Sequence, residues 1–325
     1  MQTNDLNKNT NLKYQKLVIF LIFTSFIVYG FLRVILSANN LYTYLVGGAL
    51  FLMLVVGLIY AGKNLTKDAM PKVTLRDFDF AFAFLGVILT YELSFIFSFS
   101  SVLSSALVGM IGFLLIRKHS MALYCGSFAG MVSPQIFNHY EVIVLGLICA
   151  FVYLLVKTIL DGFGGRLGTI AFVSTTIATL VFNKGMLLPN GSYEILLVFL
   201  FAVLGSVISY YLHNHLNLSS VLSSALPSLL VAILIDFIWP EFYVYSSVFF
   251  IASFIGMSNK KVIPNLINSL LIGLILAIIF LTFYNYFNGF GGKMGLMALI
   301  SVIINYGVAN IIKSVSNSHH KLNIS

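Results

Sequence analysis

Charge is what this sequence has least of. Charged residues make up 9% of its 325 positions and hydrophobic residues 59%, with a mean hydropathy of +1.00. A soluble domain carries about 25% charged residues, so this chain cannot cover a water-facing surface and its solvent must be mostly hydrocarbon. Cysteine is scarce as well. Cys125 and Cys149 both sit in apolar stretches, which implies neither a disulfide framework nor a cysteine metal site. The six histidines build no metal cage, and His213 and His215, at i and i+2, do not share a helix face. No Ser–His–Asp set is visible. The short alternating segments of a membrane β-barrel are missing too. With no water to satisfy the backbone, the remaining architecture is helical.

The net charge of +8 does not point to nucleic acid, because the basic residues are scattered singly or in pairs at the ends of apolar runs. That is how cytoplasmic loop charges are distributed in membrane proteins.

Twelve apolar segments are present, at about 17–37, 41–61, 78–98, 101–116, 120–134, 140–160, 167–183, 193–212, 218–236, 242–258, 263–285 and 295–312. A span needs about 20 mostly apolar residues. The expected fold is therefore an all-α polytopic transmembrane bundle of about twelve helical segments. Segments 120–134 and 242–258 are short and contain glycine, so each is either a tilted span or a re-entrant hairpin; twelve full crossings are the preferred reading. The run after Lys16 is too long for a signal-peptide core and reads as a retained span. Residues 1–15 and 314–325 read as cytoplasmic tails, the first of them disordered.

With twelve crossings, fifteen basic residues lie inside: Lys8, Lys13, Lys16, Lys63, Lys67, Lys72, Arg76, Arg117, Lys118, Lys157, Arg166, Lys260, Lys261, Lys313 and Lys321. Only Arg33, Lys184 and Lys293 lie outside. Re-entrant hairpins would change the ratio to fourteen against four, and the termini stay cytoplasmic either way. Wording rich in Asn, Lys, Ile and Phe points to an AT-rich microbial genome, and hence to a bacterial plasma membrane.

The most informative feature is internal. The string SSVLSSAL occurs at Ser100–Leu107 and again at Ser219–Leu226, 119 residues later. The same offset aligns LGVILTYEL (Leu85–Leu93) with LGSVISYYL (Leu204–Leu212). Farther on, SFAGM at Ser127 matches SFIGM at Ser253, and GFGGRLG at Gly162 matches GFGGKMG at Gly289. These matches divide the chain into an N-terminal helix pair (16–77), repeat A (78–184) and repeat B (193–313). Five segments per unit is an odd number, so the two copies are expected to be inverted, an arrangement typical of secondary transporters.

Glu92 is the only acid well inside an apolar run. An ionisable group there costs roughly 2.5–3.5 kcal/mol on insertion scales and marks a functional candidate; the alternative is a neutral or hydrogen-bonded carboxyl. The serine clusters recur at helical spacing. Close packing is their favoured role, and a polar path lined by Ser104 and Ser223 facing each other is the alternative. Pro227 should kink its span or free a carbonyl. The short motifs around Gly126, Ser127 and Gly130, and around Ser253 and Gly256, are candidates for broken helices at a binding site, weighed evenly against packing. The Gly-rich turns Gly164-Gly165-Arg166 and Gly291-Gly292-Lys293 open two helices. Backbone N–H groups and the positive dipole end there make an anion site a candidate, although a tight turn with a snorkelling base is the weightier alternative. Neither is a P-loop.

The sequence thus points to a transporter or channel for a small solute, with its path between the two units near the midplane. A membrane-embedded enzyme acting on a lipid-linked or anionic substrate and a non-catalytic scaffold are the alternatives. The expected partners are the lipid bilayer and a small-molecule or ion substrate, with a homo-oligomer left open. No cofactor or metal is called for.

Overall fold

The computed structural model describes residues 2–38, 41–64, 78–189 and 191–322. Lys67, Lys72 and Arg76 lie outside the described residues, as do the side chains of Lys8, Lys13 and Lys321. Twelve α-helices make up the described chain: α1 (Gln2–Leu36), α2 (Leu41–Asn64), α3 (Phe78–Phe97), α4 (Ser101–Leu115), α5 (Ser120–Ala129), α6 (His139–Val156), α7 (Arg166–Val181), α8 (Ile195–Asn214), α9 (Ser220–Ile238), α10 (Tyr243–Gly256), α11 (Leu266–Phe283) and α12 (Lys293–Leu322). Short 3-10 turns at Arg117–His119 and Pro240–Phe242 lead into α5 and α10.

Eight of these helices are long and apolar enough to cross a membrane. Length and composition support crossing for these eight of the twelve expected spans. Helices α4, α5, α7 and α10 have 15, 10, 16 and 14 residues. At about 1.5 Å per residue they fall short of a core of about 30 Å. Segment 120–134 is the clearest case, because α5 ends at Ala129 and the chain continues without helix to Asn138. The polar N-terminal residues also differ from expectation. Helix α1 begins at Gln2 rather than after a disordered tail, since extending a formed helix adds one hydrogen bond for each residue fixed. Helix α9 continues through buried Pro227 without a break.

Hydrogen bonds fix the direction of each helix relative to the others. Asp79, at the start of α3, bonds His119 just before α5 and Lys157 just after α6. Arg166, at the start of α7, donates to the Lys157 carbonyl, and the Gly162 carbonyl accepts from Asn259 beyond α10. These groups share one end of the bundle, the Arg166 end. At the other end, Tyr91 near the close of α3 donates to the Phe137 carbonyl before α6. There, too, Lys184 beyond α7 pairs with Glu141, Ser133 donates to the Gly289 carbonyl ahead of α12, and Tyr286 donates to the Ser37 carbonyl beyond α1. This is the Lys293 end. Helix α3 therefore runs towards the Lys293 end. Helix α8 runs the opposite way, from Glu194, which donates to the Tyr245 hydroxyl, to Asn214, which donates to the Ser258 carbonyl.

Small residues set the packing distances. A Cβ at Gly126 or Gly130 would overlap the α3 carbonyls of Ala83 or Val87, and one at Gly256 would overlap the α8 backbone at Ser209. Helices α7 and α12 cross where a Cβ on Gly168 would overlap the Gly295 Cα and one on Gly295 the Gly168 Cα. Close backbone approach of this kind is how helices associate in lipid, where no hydrophobic drive separates helix from tail.

Candidate functional site

Two of the bundle's cavities have a Gly-rich turn among their walls. One, of 370 Å³, lies at the Lys293 end, where Ser94, Ser101, Met131, Ser133, Tyr243 and Lys293 are among its walls. The other, of 220 Å³, lies at the Arg166 end, with His213, Ser220, Met257, Asn259 and Arg166 among its walls. Four fully buried aromatic residues, two of them in the wall of the smaller cavity, form one cluster. The Phe128 and Phe254 rings are 4.7 Å apart, Phe250 is 4.7 Å from Phe254, and Tyr124 is 4.3 Å from Phe128. Phe128 and Phe254 face the smaller cavity, while Met131 and Ile251, one turn away on the same two segments, face the larger.

Each cavity has a Gly-rich turn on its rim, and local sequence dictates the shape of both turns. Left-handed backbone recurs at Leu160, Gly162 and Gly165 (φ 54°, 81° and 81°) and again at Phe287, Gly289 and Gly292 (φ 55°, 82° and 77°). Glycine adopts this region at no steric cost. Each turn leads directly into a cation. Arg166 donates through Nη1 to the Lys157 carbonyl at 2.6 Å and pairs with Asp161 Oδ1 at 2.9 Å. Lys293 donates through Nζ to Asn288 Oδ1 at 2.8 Å and to the Tyr284 carbonyl at 3.3 Å. The partners occupy the same places in the two turns, but a carboxylate in one is an amide in the other.

The candidate residues divide into three groups. Arg166, Gly164 and Gly165 line the smaller cavity, and Lys293 and Gly292 the larger. Gly291 does not line it; a Cβ there would overlap the Ala129 carbonyl, so its role is contact with α5. The serines pack. Ser127 and Ser253 bond Ser105 and Ser224 at 2.8 and 2.7 Å, and each also donates to the carbonyl three residues before it. Ser104 accepts from Ser94, and Ser223 donates to the Ser220 carbonyl. Gly126, Gly130 and Gly256 act through the helix contacts described above. Glu92 is not brought to either cavity. Its Oε1 is 2.8 Å from His139 Nδ1, with the carboxyl side chain 34% exposed near the end of α3.

Sequence reasoning missed Tyr243, which lines the larger cavity and whose buried hydroxyl lies against Gly191 with no hydrogen-bond partner among the described residues. It also missed Asn288, the residue that leaves Lys293 without a carboxylate. The signal was present in the alignment of the two Gly-rich turns, where Asn288 stands against Asp161.

No family model matches the chain, and no curated protein or solved structure matches it either. The functional reading rests on the geometry.

Proposed function

We propose that this protein is a multi-pass membrane transporter or channel for a small solute, whose path joins the two cavities through the Phe128–Phe254 plug. The observation that carries the reading is the pair of cavities at opposite ends of the bundle, backed on a single aromatic cluster. A path closed at its middle and widened at each end is what a solute needs to be admitted from either face in turn.

In this reading residues 78–184 and 193–313 are two copies of one five-helix unit, inverted about an axis that passes where Gly168 meets Gly295. Matched contacts support it. Ser100 and Ser219 cap α4 and α9 with φ of −59° in both. Tyr91 and Tyr210, 119 residues apart, each donate to a distant carbonyl. Gly164 would meet the Phe254 carbonyl and Gly291 the Phe128 carbonyl, so each turn touches the other unit. Opposite chain directions in α3 and α8 support the inversion.

The Arg166 end is then cytoplasmic. Lys16, Lys63, Arg117, Lys118, Lys157, Lys260, Lys261 and Lys313 share it with Arg166, against Arg33, Lys184 and Lys293 at the other end, as the positive-inside rule requires. Both termini are cytoplasmic in this reading, and the bilayer is a cell membrane.

Two measurements test the proposal. In cells, Lys260→Cys and Gly185→Cys should react with a membrane-impermeant thiol reagent from opposite sides; labelling from the same side sinks the inverted arrangement. In proteoliposomes, a panel of small neutral, cationic and anionic solutes should contain at least one that crosses faster than in protein-free vesicles. A panel with none overturns transport.

A further inference from the structure

We propose that the larger cavity is the substrate site and that it takes a small organic carboxylate, held by Lys293; as a statement about substrate, this rests on the transport reading above. The charge balance at the two turns is the starting point. Arg166 and Lys293 emerge from backbone of the same shape and donate to the same two positions, a carbonyl and the side chain five residues earlier. At the Arg166 turn that side chain is Asp161, and the pair is neutral. At the Lys293 turn it is Asn288, and the ammonium keeps its charge uncompensated by either partner.

Nothing else lining that cavity cancels the charge. Lys293 is the only charged residue among its described walls. Asp236, at the same end, has a buried Oδ2 with no partner among the described residues and is not among the cavity's walls. Taking an ammonium out of water without an anion is expensive, and the first turn of α12 adds positive potential of the same sign. A bound carboxylate removes that cost. One of its oxygens can accept from Lys293, which lines the cavity.

The remaining walls select the rest of the ligand. Phe280, Phe287, Phe290, Met131 and Met297 supply an apolar surface, which suits an aliphatic or aromatic body and not a strongly hydrated inorganic anion. A volume of 370 Å³ falls at the lower end of small-molecule sites, roughly 300–1,000 Å³.

The test is binding to the full-length protein in detergent, without flux, using acetate, butyrate and benzoate, with benzamide as the neutral match and phosphate as the inorganic one. Benzoate and butyrate should raise the unfolding temperature in a saturable way, while benzamide and phosphate should not. Lys293→Gln should weaken benzoate by about tenfold or more, as loss of a charge-assisted hydrogen bond does. Lys293→Arg should keep most of the affinity. Asn288→Asp is the decisive variant, because it installs the carboxylate found at the other turn. It should fold, since it pairs with Lys293, and should also weaken benzoate by about tenfold or more. If benzamide binds as well as benzoate, or if Asn288→Asp binds benzoate as the parent does, the proposal is wrong. Carboxylate binding without flux of any solute would sink the transport reading and leave the site standing. Flux of a neutral solute with no carboxylate binding would do the reverse.

Discussion

The Arg166 and Lys293 turns are the most instructive comparison in the molecule. Their backbones agree to within a few degrees of φ at three left-handed positions. Their cations reach equivalent partners, yet Asp161 closes the first site electrically and Asn288 leaves the second open. The same skeleton thus makes one self-satisfied turn and one that calls for an anion. Backbone shape is shared between the two turns, and charge is where they part.

That comparison can be broken or sharpened by paired substitutions. The largest effect is expected at the α7–α12 crossing. Gly168→Val and Gly295→Val each force a side chain into the other helix's backbone. Overpacking usually costs about 1–3 kcal/mol and more where backbone must move, so both should abolish monodisperse protein in size-exclusion chromatography. If only one does, the crossing is less symmetric than its geometry. Next comes the plug. Phe128→Ala and Phe254→Ala should each destabilise by about 2 kcal/mol or more through the cavity left behind, read as a lower unfolding temperature, and each should raise solute leak in proteoliposomes. A smaller effect is expected for Tyr91→Phe and Tyr210→Phe. Each removes a hydroxyl bonded to a carbonyl in a different part of the chain. Such bonds contribute about 0.6 kcal/mol on average in a membrane protein, so the two unfolding temperatures should fall slightly and by similar amounts. The smallest effect on stability belongs to Asp161→Asn. Arg166 is 8% exposed but Asp161 is 76% exposed, and a carboxylate so well solvated contributes about 0–1 kcal/mol. Stability should hardly change, whereas the Arg166 turn should acquire the unbalanced charge of its counterpart. A titration with benzoate should then show a second, weaker binding event, and its absence would confine the anion chemistry to the larger cavity.

Much of this was written in one dimension. The helix starts at Ser100 and Ser219 follow from serine capping the third N–H of each helix, and the recurrence of SSVLSSAL announces both. The glycine pairs at 164–165 and 291–292 are visible as letters. What the letters concealed was which glycines bend the chain and which admit a neighbour. Gly165 and Gly292 have positive φ, whereas Gly164 and Gly291 are needed because another helix's carbonyl lies where a Cβ would be. Glu92 shows the same limit, because its place in an apolar run gave no sign that His139, 47 residues away, supplies its partner. Tyr243 went unnoticed because an aromatic residue in an apolar segment carries no mark of whether its hydroxyl will find an acceptor.

The sequence alone determined the solvent, the helical class and the places where the chain repeats itself. Composition and periodicity are local quantities, and a hydrocarbon environment leaves the backbone few alternatives. Only the tertiary structure decided that two Gly-rich turns would sit at opposite ends of one bundle, that four aromatic rings from distant segments would cluster in its interior, and that Lys293 would line a cavity with no carboxylate among its described walls. Those outcomes depend on which residues from distant segments meet, and that is set by three-dimensional packing rather than by any window of the chain.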